Sequence, residues 1–340
     1  MTHDVIAIGA SAGGFGVLLD LVGRLPANLP ASIFIVLHTA PADASRLPEL
    51  LSKRGPLPAS HPLHEEPIVP GRIYVASPDN HLLVRPGAME VVRGAKENGH
   101  RPAVDALFRT ASSAYGPRVV GVVLSGYQDC GTAGMMSIKA RGGVSVVQSP
   151  ESAQVPDMPR SVLARVPVDH VVSPAELPTV LTRLVATPAG AATRPDAFVE
   201  ELEGERPGAP AELVCPLCDG VLTEAHPAQP GVFEHFRCHV GHAFSLDALV
   251  REQGEAMERA LWAAVRSLEE GAALSGRLIA HEPGEELRRR FSEKARTQLQ
   301  QAELIRQVLL HGAMLSRGDA ARLSAAETAQ PRAARRRSSR

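Results

Sequence analysis

Val5-Ile6-Ala7-Ile8-Gly9-Ala10-Ser11-Ala12-Gly13-Gly14 decides the fold. A short apolar run closes on a glycine-rich turn, and residues 15–22 then take helical spacing, so the opening predicts strand, tight turn, helix. A second apolar run at 33–37 follows at the distance expected of a β-α-β unit. Further β-like runs lie at 73–76, 119–124, 144–148 and 168–172, with helical stretches between several of them. That alternation predicts an α/β domain with a doubly wound, mostly parallel, Rossmann-like sheet over residues 1–185. Residues 82–92, centred on Pro86-Gly87, predict a hairpin instead of another crossover.

Composition agrees. Apolar residues make up 44% of the 340 but aromatics only 4%, the mark of a Val, Leu, Ile and Ala core between sheet and helices. A formal net charge of −1 supplies no global field for nucleic acid or anionic lipid. No run reaches the length of a membrane span, and four cysteines are too few for a disulfide framework, so the sequence reads as cytoplasmic. Residues 186–212 turn to Ala, Pro, Gly, Glu and Thr without periodicity and read as a linker. The end, 313–340, with five arginines between Arg332 and Arg340, reads as a disordered basic tail.

The glycine-rich turn admits two chemistries. Backbone N–H groups at a helix start can hold a dinucleotide phosphate or an oxyanion. A dinucleotide-dependent oxidoreductase would place Asp or Glu at the end of the second strand to bind ribose hydroxyls, but that strand ends Leu37-His38-Thr39. None of Tyr74, Tyr115 and Tyr127 is followed four residues later by lysine. Gly9-x-Ser11-x-Gly13 instead matches a nucleophile elbow. Adjacent strands of a doubly wound sheet deliver their ends to one crevice, so Ser11 can meet His38 there. Asp129, in the loop after 119–124, completes a Ser, His, acid set at three strand ends.

Further along, Cys215-x2-Cys218 and, after 19 intervening residues, Cys238-x3-His242 carry the spacing of two zinc knuckles, predicting a structural Zn site within a zinc-ribbon-like module over 213–245. His235 and His239 are alternative fourth ligands, but His239 directly follows Cys238 and adjacent side chains point apart, which favours His242. Ser245 then caps the first of two long helical stretches broken at Pro283-Gly284, predicting a helical hairpin or coiled coil over 246–312. Leu287, Phe291, Ala295, Leu299, Ala302, Ile305 and Leu309 form one apolar stripe suited to the partner helix or to self-association with another copy.

These residues resemble the catalytic domain of the chemotaxis protein-glutamate methylesterases. The likeness spans about residues 4–185 and rests on the run 6–14, on Leu37-His38, on residues 100–108, on Leu124-Ser125-Gly126 with residues 131–135, and on Met158-Pro159-Arg160. Zinc-ribbon-like segments followed by helices resemble extensions of some methylesterase-like proteins. The resemblance implies hydrolysis of glutamyl methyl esters by Ser11 and His38, with the oxyanion held near Ala12 and Gly13. It also implies a methylated chemoreceptor or receptor-like protein as partner, alongside a matching methyltransferase. Arg101 and Arg160 are candidate contacts to an acidic receptor segment or surface salt bridges.

Family members usually carry a receiver domain ahead of this one; here the first strand starts at Val5, so control by phosphorylation on the same chain is expected to be absent. The family's catalytic aspartate falls at Cys130, one position after Asp129. A neutral thiol is a poor orienter of imidazole, which leaves Asp129 as the expected third member. The alternative is a degenerate relative that binds without hydrolysing.

Overall fold

The computed structural model describes residues 1–38, 45–206, 208–225, 233–281 and 284–311. They divide into two compact units, one reaching to Val250 and the other starting at Arg251. The first unit opens with β1 (Val5–Ala10), α1 (Gly14–Val22), β2 (Ser32–Leu37), α2 (Leu47–Arg54), β3 (Ala59–Ser60) and β4 (Ile73–Val75). The hairpin β5 (His81–Arg85) and β6 (Ala88–Val92) follows, then α3 (Val104–Tyr115), β7 (Val119–Val123), α4 (Thr132–Ala140), β8 (Val144–Gln148), α5 (Asp157–Arg165), β9 (His170–Val172) and α6 (Leu177–Ala186). Seven strands make one parallel sheet in the order β3-β4-β2-β1-β7-β8-β9.

Every residue of β1 is buried, as a central strand covered on both faces requires. Ile6, Ile8 and Ala10 face a core shared with α1, α2 and α6. Val5 and Ala7 face the opposite core, built with α3, α4 and α5. The chain winds outward from β1 through β2 on one side and through β7 on the other, so the strand order reverses at β1. The crevice outside the carboxyl ends at such a reversal is where open α/β sheets bind ligands.

The stretch 186–212 holds more structure than a linker. Helix α7 (Ala197–Glu203) is capped by Asp196, whose carboxylate accepts from Val199 N at 3.0 Å. Glu203 is buried and takes a two-pronged bond from Arg141, at 2.5 and 2.7 Å. Seven residues make fewer than two turns, too few to show a helical period in sequence. The strands β10 (Ala209–Val214), β11 (Val221–Ala225), β12 (His235–Cys238) and β13 (Ala243–Ser245) then form an antiparallel sheet. Phe233 joins Leu202 of α7, Ala225 and Ala133 of α4 in one apolar cluster.

Helix α8 (Leu246–His281) starts on the Ser245 cap, whose hydroxyl accepts from Ala248 N at 3.2 Å. Within the second unit α9 (Glu285–His311) meets α8 where Arg306 donates to Glu269 and where Gln298 lies against Gly271. Leu299, Leu304 and Val308 are exposed. The turn residue Pro283 and the tail 313–340 lie outside the described residues. Among those residues no helix is long and apolar enough to cross a membrane.

Removing one partner of a buried ion pair leaves the other charge uncompensated. Glu203→Ala is therefore expected to lower the unfolding free energy by about 3–5 kcal/mol in urea titrations, and Glu203→Asp, which keeps the charge, by less.

Candidate active site and metal cluster

Ala10 pairs with Leu37 at the end of the β1–β2 ladder, so Ser11 and His38 leave neighbouring strands at the same level. Strands in a sheet run about 4.8 Å apart. His38 N donates to Ala10 O at 3.1 Å and Ser11 N donates to Ser125 O at 2.9 Å, which binds three strand ends into one rim. Both side chains are half-buried. Gly126 makes the approach feasible: a Cβ there would lie 2.7 Å from Ser11 Cβ and collide with the Met158 sulfur. Ser125 secures the turn, its hydroxyl donating to Ala12 O at 2.7 Å and accepting from Val155 N at 2.9 Å.

The two candidates for the third position differ in surroundings. Cys130 is fully buried in the apolar core with Val104, Val123 and Met135, against the backbone of Val104 and Asp105. Burial pushes its thiol well above the ordinary value, so the group there is neutral. Asp129 is buried and lines a small cavity of about 90 Å³ with Arg165, Phe233, Glu234, Ser245, Leu246 and Asp247. Gln128 adopts a left-handed φ of 66°, so the loop does not follow the two-residue alternation of a strand.

Sequence reading gave no role to Asp105, which anchors this loop. Its Oδ1 accepts from Gly131 N at 2.9 Å and Gly134 N at 2.7 Å, and its Oδ2 from the Asn98 amide at 3.2 Å. Burial raises its pKa to about 6 against the pull of those N–H donors. The available signal was an acid in the otherwise apolar run 103–108. Arg101, a candidate receptor contact, is held by Asp79 at 2.6 and 2.9 Å and by Gly94 O. Arg160 is exposed. His100, also assigned no role from sequence, stacks its ring on His38 with centroids 3.8 Å apart and planes 15° apart.

The β10–β11 and β12–β13 turns bring together Cys215, Cys218, Cys238 and His242, whose candidate ligand atoms all lie within 4.8 Å of one another. Cys215 Sγ and Cys238 Sγ are 3.6 and 3.5 Å from His242 Nδ1, and Cys218 Sγ is 3.6 Å from Cys238 Sγ. Tetrahedral zinc, with bonds of about 2.0–2.3 Å, needs ligand separations of about 3.5–3.8 Å, so these donors fit it. His239 lies over Gly220 and His235 stacks near Phe233, leaving His242 as the histidine of the cluster.

Comparison with known proteins bears on the sheet domain. A family model described as CheB methylesterase matches residues 6–181. A Leptospira interrogans protein, named provisionally as a protein-glutamate methylesterase/protein-glutamine glutaminase, is 34% identical over 185 residues, 54% of this chain and 96% of that one. Protein-glutamate methylesterase/protein-glutamine glutaminase 4 of Myxococcus xanthus is 36% identical over 179 residues, 52% of this chain and 51% of its own. The crystal structure of the Thermotoga maritima CheB methylesterase catalytic domain superposes with a TM-score of 0.52 at 30% identity, covering 54% of this chain and all of that one.

Asp105 has a pH signature. Its folded-state pKa exceeds that of a free Asp, so its contribution to stability is complete below about pH 4 and is lost as pH rises through about 6. The unfolding free energy of wild type relative to Asp105→Asn is expected to fall by up to roughly 3 kcal/mol between pH 4 and pH 7. A pH-independent difference in urea titrations would contradict the raised pKa.

Proposed function

Because the chain belongs to the CheB methylesterase family, we propose that it hydrolyses glutamyl methyl esters on a chemoreceptor or receptor-like protein, with Ser11 as nucleophile and His38 as base. The in-register exit of these two residues from β1 and β2 is the observation that carries the reading.

Ser11 Oγ attacks the ester carbonyl while His38 accepts its proton. The oxyanion gathers at the start of α1, where the backbone N–H groups of Ala12 and Gly13 and the helix dipole favour negative charge. His38 returns the proton to the leaving methoxide, releasing methanol. Water deprotonated by the same imidazole then attacks the acyl-serine, giving the glutamate carboxylate and free Ser11. Asp129 is the orienting acid in this scheme, supported by the presence of a carboxyl group one residue from a Cys130 thiol that burial keeps neutral. The glutaminase in the relatives' names concerns the corresponding amide. That substrate must expel a poorer leaving group and leans harder on the same proton transfer.

The four-donor cluster is proposed to hold one zinc ion. Three sulfurs and one imidazole nitrogen are the donor set zinc prefers, and four protein ligands leave no position for substrate, so its role is structural. A methylated receptor is the partner this chemistry acts on, and a matching methyltransferase is proposed as the source of the methyl ester. Self-association through the exposed apolar positions of α9 is proposed separately.

Methanol release from a methylated receptor by the purified chain tests the assignment. Ser11→Ala and His38→Ala are each expected to lose at least about 10³-fold in rate with the fold retained, Asp129→Asn about 10² or more, and Cys130→Ser little. Unchanged turnover in either of the first two variants would sink the hydrolase reading, and receptor binding without methanol would favour a degenerate relative. Metal analysis should return one zinc per chain, with Cys215→Ser or Cys238→Ser releasing it.

A further inference from the structure

His100 reaches His38 from a tight turn. Glu97 N donates to His100 O at 3.2 Å and His100 N donates back to Glu97 O at 2.9 Å. The two central residues, Asn98 and Gly99, take left-handed φ values of 51° and 77°. Asn-Gly is the pair such a two-residue turn favours, since both positions require φ above zero. The geometry fixes where the chain leaves the turn and hence where the His100 ring lies.

Asn98 is also where the metal-binding module grips the catalytic sheet. Its backbone N–H donates to Ala243 O at 2.7 Å and its side-chain oxygen accepts from Ser245 N at 2.8 Å. Its amide nitrogen donates to Asp105 Oδ2, and Ala243 N returns a bond to Lys96 O at 3.3 Å. Ala243 directly follows His242, whose ring belongs to the metal cluster and whose carbonyl accepts from Cys238 N at 3.0 Å. The path from metal site to catalytic base is therefore one peptide bond, two hydrogen bonds to Asn98, a two-residue turn and a ring stack.

The module has little apolar core of its own with which to hold β13 in place. Its own core is Cys215, Leu222, Phe236, Cys238, Phe244, Ala248 and Leu249, so two of the seven buried side chains are themselves ligands. Sheets this small generally need a metal or a disulfide to fix their shape. The ion would join the two turns that β10–β11 and β12–β13 carry, and with them the strand that Asn98 reads.

We propose that His100 is a positioning residue for His38, and that metal bound by Cys215, Cys218, Cys238 and His242 holds it in place through Asn98. The proposal rests on the methylesterase reading of Ser11 and His38. A plane stacked on the imidazole restricts its rotation, which complements an acid displaced by one residue from the family position. Metal loss frees the β12–β13 turn, the Asn98 bonds loosen, and the base loses its alignment.

The test uses the full-length zinc-loaded protein, with histidine ring ¹⁵N spectra read beside methanol release. Chelation, with metal loss verified, is expected to shift the His38 and His100 ring signals together and to lower kcat roughly 10- to 100-fold at nearly constant KM. His100→Ala should reproduce that loss with zinc retained, and His100→Phe, which keeps a stacking face, should restore most of it. Asn98→Ala should shift both rings and make activity insensitive to further chelation. Metal-free protein with wild-type ring signals and kcat would overturn the proposal, as would His100→Phe no better than His100→Ala. A wild-type chain that releases no methanol but whose rings respond to zinc would fail the esterase reading alone.

Discussion

The register of β1 between β2 and β7 is the constraint on which the rest of the site depends. Side chains alternate along a strand, so a one-residue slip would send Ile6, Ile8 and Ala10 to the opposite core and carry Ser11 out of level with His38. Two full helical layers oppose that slip, because each face of β1 is matched to a different set of helices. The bonds from His38 N to Ala10 O and from Ser11 N to Ser125 O continue the ladder one step past the regular strands. They transfer the precision of the core to the rim, where the proposed proton transfer would need it.

What the sequence disclosed follows from range. Ser11 and His38 were legible because each ends an apolar run, and a parallel sheet brings consecutive strand ends together. The β5–β6 hairpin was legible from Pro86-Gly87, where a turn is written in adjacent residues. Asp105 was not, since its partners Gly131 and Gly134 lie 26 and 29 residues away. Asn98 was hidden for the same reason, with Ser245 at a separation of 147. Helix α7 escaped because seven residues show no period, although Asp196 was a readable cap.

Cys130 shows why a departure from a family pattern needs its surroundings before it is read as loss. The thiol is small, apolar in effect and well suited to the gap between Val104, Val123 and Met135. A carboxylate buried among those side chains would carry a desolvation cost that a thiol avoids. Asp129 lies in the same loop, which Gly131 ties to the Asp105 carboxyl group.

The grip of the module on the sheet is modest: a few hydrogen bonds at Lys96 and Asn98, one apolar cluster around Phe233, and the Arg141–Glu203 pair on the connecting segment. A hydrogen bond contributes about 1 kcal/mol net, so between separate molecules the few at Lys96 and Asn98 would support only about millimolar affinity. Placed on one chain, the two surfaces meet at an effective concentration that is itself about millimolar. The apolar cluster and the buried ion pair add to those bonds, so docking on one chain lies on the closed side, and a change worth a single hydrogen bond moves its equilibrium constant by about fivefold. Small contacts of different kinds share the work, so losing any one of them lowers the margin for docking in a step and leaves the others in place.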